Sequence, residues 1–150
     1  MSWIGPTAML LDANVLLYSI DSSSRHHAPC AAWLSDAFSG SRRVGLPWQT
    51  IGAFLRISTH PRVFARPLRP DQAWEVVEQW LNAPNCWVPE TSEATARILG
   101  ALIGDLDLRG NLITDAQLAA LALEHGVGVV SADTDFARFP GLRWVNPLTG

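Results

Sequence analysis

Short β-rich apolar runs alternate along this chain with longer stretches of helical periodicity, and that alternation admits few architectures. Strand, helix and strand in succession build a parallel sheet with helices on both faces. The first run, Ala8-Met9-Leu10-Leu11, is apolar throughout, as a strand buried on both faces must be. Further strands are expected at 43–46, 86–88 and 127–131, with an edge strand at 142–145. The spacing predicts helices over 14–20, 26–38, 47–60, 71–81, 92–103 and 114–125, and a helical turn over 133–139. In the third helix Ile51, Phe54 and Leu55 form an apolar stripe that weakens at Ser58. In the last, Thr114 reads as the N-cap, Asp115 as an acid of the first turn and Gly126 as the close. The fold class is α/β. With no repeat, linker or low-complexity tract, residues 1–150 read as one domain.

Composition narrows the setting. Hydrophobic residues are 48% of the chain and charged residues 17%, which suits a packed core and excludes disorder. Cys30 and Cys86 have no paired metal spacing and read as buried thiols in a reducing compartment. Met1 to Pro6 has no basic leader, and no run approaches the roughly 18 apolar residues of a membrane helix. The expectation is a soluble, cytoplasmic chain with no membrane partner. Between Asp36 and Asp71 there is no acid but there are six arginines, Arg42, Arg43, Arg56, Arg62, Arg66 and Arg69, and lysine is absent altogether. Either these form a basic surface beside an acidic site, or they are a solvated face pairing with distant acids.

The acids themselves are placed by the strands. Ligands of open α/β sheets bind beyond the carboxyl ends of strands. Asp12 follows the first strand, and Asp133 and Asp135 follow the fourth. The pattern does not place Asp115. Singly, Asp12 and Asp133 read as helix caps and Asp115 as a partner of the helix dipole. Two acidic positions directly after strands are harder to explain by capping. Crowded carboxylates repel unless a cation neutralises them or protons are shared. With oxygen donors and no nearby His-Cys set, that cation is Mg²⁺ or Mn²⁺. A phosphate-binding P-loop, a receiver domain and an aspartyl-phosphate phosphatase all need a lysine. Gly126-Val127-Gly128 precedes a strand and fails as a dinucleotide fingerprint. No Gly-x-Ser-x-Gly elbow is present, and His26, His27, His60 and His125 read as structural or surface residues. Metal-assisted phosphodiester chemistry remains.

Leu11-Asp12-Ala13-Asn14-Val15-Leu16-Leu17, Thr114-Asp115-Ala116 and Ser131-Ala132-Asp133-Thr134-Asp135-Phe136 resemble the PIN-domain nucleases in order and spacing. Phe54-Leu55-Arg56 through Thr59-His60-Pro61-Arg62-Val63-Phe64, with Phe139-Pro140-Gly141-Leu142, is similar to the VapC toxins of bacterial toxin-antitoxin pairs. The resemblance implies a three-layer sandwich with a parallel sheet of four or five strands flanked by helices, and brings the Asp115 helix to the same crevice as Asp12. By position, Asp12, Asp115 and Asp133 match the metal-binding acids and Asp135 a less constant one. Asn14, Thr114 and Ser131 match polar residues that orient the carboxylates or bound water. In such a site the metal generates the nucleophilic hydroxide and stabilises the pentavalent phosphate. The implied activity is Mg²⁺-dependent endoribonuclease, cleaving tRNA, rRNA or mRNA as a toxin held by a cognate VapB-type antitoxin.

One position departs from the family. A glutamate usually precedes the Phe-Leu-Arg segment, and here Ala53 stands there. The alternative is therefore a catalytically weak PIN-like module that binds RNA or a protein partner. Arg42, Arg43, Arg62, Arg66 and Arg69 are the candidates for phosphate contact, and Arg56 either points near the site or pairs with an acid. Family members commonly form homodimers. The chain has seven tryptophans, and Trp33, Trp48, Trp74, Trp80 and Trp87 read either as core or as parts of an oligomer or antitoxin interface.

Overall fold

A computed structural model describes residues 8–149. The segment Met1 to Pro6 lies outside them. Five short strands, β1 (Met9–Leu11), β2 (Val44–Gly45), β3 (Cys86–Trp87), β4 (Gly128–Val130) and β5 (Trp144–Val145), form one parallel sheet in the order β3-β2-β1-β4-β5. The helices are α1 (Ala13–Ile20), α2 (His27–Ser39), α3 (Trp48–Ser58), α4 (Pro70–Leu81), α5 (Glu93–Leu106) and α6 (Asn111–His125), and a 3-10 turn covers Thr134–Arg138. The sheet is thus five-stranded and α/β, as the alternation requires.

Strand β1 is central and shows why its run carries no polar residue. Met9 and Leu11 enter one core with α1 to α4, and Leu10 enters the other with α5 and α6. Successive strand residues face opposite sides, so a strand covered on both must be apolar at every position. Gly45 in β2 is set by packing: a Cβ there would stand 2.9 Å from Cζ3 of Trp87, whose indole lies over it. In the α3 core, fully buried Phe54 meets Trp80 edge-to-face, with ring centroids 4.9 Å apart. Truncating Phe54 costs about 3–5 kcal/mol.

The boundaries correct several expectations. Helix α6 begins at Asn111, so Thr114 is not its N-cap. Gly110, with φ of 59°, turns the chain instead, and the amides of Leu112 and Ile113 bond to the carbonyls of Arg109 and Gly110. Asp115 therefore lies past the first turn and is no dipole partner. Helix α5 continues past Ile103 to Leu106 because Leu102, Ile103 and Leu106 pack against the α6 core. Ser58 stays on the buried face of α3 with Ile51 and Phe54, and its hydroxyl interrupts the apolar stripe without a hydrogen-bond partner among the described residues. Cys30 is buried and Cys86 only half-buried, and both are free thiols pushed up to about 11 by burial. No helix among the described residues is long and apolar enough to cross a membrane.

Candidate active site

Asp12 continues the sheet by one residue. Its amide bonds to the Val130 carbonyl at 3.0 Å, and its Oδ1 accepts from the Ala13 amide at 2.8 Å, capping α1. The capping role and a place at the carboxyl rim are therefore the same geometry. Ser131, the residue after β4, donates from Oγ to Asp12 Oδ2 at 2.7 Å and accepts the Asp133 amide at 3.0 Å. Asn14 completes the lattice. Its Nδ2 donates to Ser131 Oγ at 3.1 Å, and its Oδ1 accepts the Ala132 amide at 3.1 Å. Ser131 and Asn14 thus lock the ends of β1 and β4 together, with Asp12 held by both.

Asp133 caps the 3-10 turn, accepting the Asp135 amide at 2.9 Å. One carboxylate oxygen each from Asp115, Asp133 and Asp135 lies within 4.8 Å of the others. Asp115 reaches them because α6 feeds β4 and runs back along the sheet, which leaves its opening turns beyond the strands' carboxyl ends. Asp12 stands beside this trio but outside the 4.8 Å set. Burial first, then repulsion from Asp133, a hydrogen bond to Asp133 and the charges of Asp12 and Asp135, lift the Asp115 carboxyl to about 7. Burial also raises Asp12, against the hydrogen bonds from Ser131 and Ala13, and Asp133 adds repulsion. Three half-buried carboxylates this close form a hard, all-oxygen donor set that fits a divalent cation such as Mg²⁺.

Other predicted residues fall elsewhere. Thr114 is exposed and its side chain makes no hydrogen bond among the described residues. Ala53 lies one turn after Thr50 on α3 and brings no carboxylate. Arg42 and Arg43 are on the wrong rim. Met9 pairs with Val44 in parallel register, so Arg43 is level with Ala8, about 13 Å along the strand from Asp12. Arg43 lies over Trp87 at 4.1 Å. Arg69 pairs with Asp71 at 3.2 Å. Arg62 and Arg66 are exposed beyond the far end of α3, about 15 Å from its first turn. The register therefore keeps Arg42 and Arg43 away from the acids, and exposed Arg56 makes no ion pair among the described residues.

Two residues that sequence reasoning passed over matter here. Thr50, buried in the first turn of α3, donates to the Leu11 carbonyl at 2.7 Å and pins that turn beside Asp12. A threonine in a helix start carries no spacing signal for such a contact. Arg138 pairs with Asp135 at 3.0 Å, and the Asp-x-x-Arg spacing within a helical turn was the available signal.

A family profile described as PIN domain matches residues 9–142. "Ribonuclease VapC37" of Mycobacterium tuberculosis is 43% identical over 138 residues, which cover 92% of this chain and 96% of that protein. The crystal structure of VapBC2 from Rickettsia felis, bound to a DNA fragment from their promoter, aligns with a TM-score of 0.70 at 16% identity, covering 93% of this chain and 98% of that one. A toxin-antitoxin complex from Klebsiella pneumoniae aligns with a TM-score of 0.60 at 19% identity, covering 93% and 97%. The profile match over residues 9–142, with the 43% identity over 92% of the chain, places this chain in the PIN-domain family.

Proposed function

We propose that this chain is a metal-dependent endoribonuclease, a single PIN-type domain acting as the toxin of a toxin-antitoxin pair. The observation that carries the reading is the trio Asp115, Asp133 and Asp135, with carboxylate oxygens within 4.8 Å of one another at the carboxyl rim. Asp115 lifted to about 7 by burial and repulsion is a group waiting for positive charge. When bound there, Mg²⁺ or Mn²⁺ supplies a Lewis acid for the phosphodiester and lowers the pKa of a water. Asp12, fixed by Ser131, Asn14 and the Ala13 amide, is oriented to accept a proton or a water at the edge of the trio. Arg138 holds Asp135 and brings a cation to the edge of the cluster.

The relatives' name, ribonuclease, gives the substrate class, and the VapC resemblance gives the partner, a VapB-type antitoxin. Purified chain incubated with RNA cleaves in Mg²⁺ or Mn²⁺, stops in chelator, and arrests growth unless the antitoxin is co-expressed. Intact RNA under all metal conditions sinks the reading. Ala53 is the one observation favouring the second reading, a catalytically weak module that binds RNA or a partner, because α3 contributes no carboxylate. Binding without cleavage at saturating metal selects it.

A further inference from the structure

Resting on the ribonuclease reading, we infer that Trp48 is a stacking platform for an unpaired base of the RNA, flanked by a cleft that reads the edge of that base or its neighbour. Trp48 is 70% exposed, the most exposed large hydrophobic side chain among those described. Leaving an indole in solvent forgoes the stabilisation its burial would supply. Its position is fixed. Trp48 opens α3 directly after β2 and Leu46-Pro47, on the carboxyl rim, one strand over from Asp12. Two residues on, Thr50 Oγ1 donates to the carbonyl of Leu11, the residue joined to Asp12. With Thr50 turned in to the Leu11 carbonyl, Trp48, two residues earlier on the helix, projects outward from the same rim into solvent.

The next residue, Gln49, lines a cleft of about 250 Å³ together with Thr91, Thr95, Ala96, Leu99 and Gln117. Gln49 follows Trp48, about 100° around the helix. Gln117 is on α6, two residues after Asp115. Thr95 forms a fixed wall, because its hydroxyl donates to Glu124 at 2.6 Å while accepting the Ser92 amide at 3.1 Å. The two remaining amides each offer a donor and an acceptor. A flat apolar surface next to such a cleft suits a base, which has a π-face and a hydrogen-bonding edge. An apolar segment of protein would make no use of the two amides.

The test uses the full chain and short single-stranded homopolymers of A, C and U. Affinity is read by fluorescence anisotropy in chelator, and KM by cleavage in Mg²⁺. Trp48→Ala weakens affinity, or raises KM, about ten-fold for all three, with kcat little changed. Trp48→Phe retains most of the affinity. An oligomer with abasic sites binds the parent weakly and is indifferent to Trp48→Ala. Gln117→Ala changes the ranking among A, C and U instead. If the parent binds or cleaves RNA and Trp48→Ala matches it, the inference falls and the ribonuclease reading stands. If Trp48→Ala leaves RNA affinity intact but abolishes self-association in light scattering, the indole is a protein interface, and the inference is again overturned. A parent that neither binds nor cleaves RNA removes the ribonuclease reading and this inference with it.

Discussion

At the amino-terminal rim of the sheet, polar side chains mostly meet neutral carbonyls and a ring, although Asn85 Oδ1 is buried without a partner among the described residues. Asn85 Nδ2 donates to the carbonyls of Ala37 and Arg42 at 2.9 and 2.7 Å, Arg43 lies over the Trp87 ring, and His125 Nε2 meets the Glu90 carbonyl at 2.8 Å. At the carboxyl rim, one strand length away, three carboxylates share a space of 4.8 Å and Asp115 is lifted to about 7. Polar groups at one end are mostly matched to partners; three carboxylates at the other crowd one another, with Arg138 paired to one of them. The difference separates residues chosen for stability from residues chosen for chemistry, since a cluster that costs stability is retained only where it performs work.

The largest expected effect comes from relieving the repulsion. Asp115→Asn and Asp133→Asn keep size and remove charge, so cleavage in Mg²⁺ falls by at least on the order of a hundred-fold while circular dichroism stays native. Stability without metal moves the other way. Because native Asp115 holds its proton up to about 7 against an ordinary 3.8, the folded state binds more protons than the unfolded state between those values. The metal-free parent therefore loses stability as pH rises from about 4 to 7, and Asp115→Asn does not share that loss. The melting-temperature difference between them, followed across this window, widens in favour of the variant. A constant difference would mean that the acids do not burden the metal-free fold.

The next effect belongs to the other rim. Asn85→Ala removes two hydrogen bonds to half-buried carbonyls and destabilises by about 1–3 kcal/mol, measured by urea unfolding. Cleavage per folded molecule is unchanged. If kcat falls with stability held by lower temperature, the two rims are coupled and the comparison breaks.

Ala53→Glu sharpens the same contrast by adding an acid to α3. Position 53 is one turn beyond Thr50, whose hydroxyl bonds to the Leu11 carbonyl, so the new carboxylate enters from the α3 side. The Mg²⁺ concentration for half-maximal cleavage falls on the order of ten-fold. An unchanged titration shows that the present acids and waters already complete the coordination.

How much of this was legible depended on the range of the signal. The all-apolar run at Met9–Leu11 announced a doubly buried strand, and the acids after β1 and β4 announced a rim, because both are local consequences of a period of two. Asp115 was not placeable from spacing: its position depends on the direction of α6 over the sheet. The arginine segment misled for a related reason. Charge along the sequence does not say which rim a residue occupies, and only the register of β1 with β2 puts Arg43 away from Asp12. Thr50 was invisible because a single hydroxyl bonding to a residue 39 positions earlier leaves no periodic trace.

The smallest expected effect tests that register directly. Arg43→Ala removes a cation lying 4.1 Å from the Trp87 ring centroid at an exposed position, which costs about 0.5–1 kcal/mol of stability. A phosphate contact at Arg43 would instead appear in the salt dependence of RNA binding, since each cation released from single strands changes the slope of log K against log salt by about 0.7. The register places Arg43 level with Ala8, four positions along the sheet from Asp12, on the rim where strands begin. RNA seated on the acids and Trp48 has no reason to reach it. The slope for Arg43→Ala should therefore equal that of the parent while the urea midpoint drops slightly. A slope flattened by about 0.7 with an unchanged midpoint gives the opposite assignment: the RNA wraps past the sheet edge to the amino-terminal rim, and the division of labour between the two ends fails at that residue.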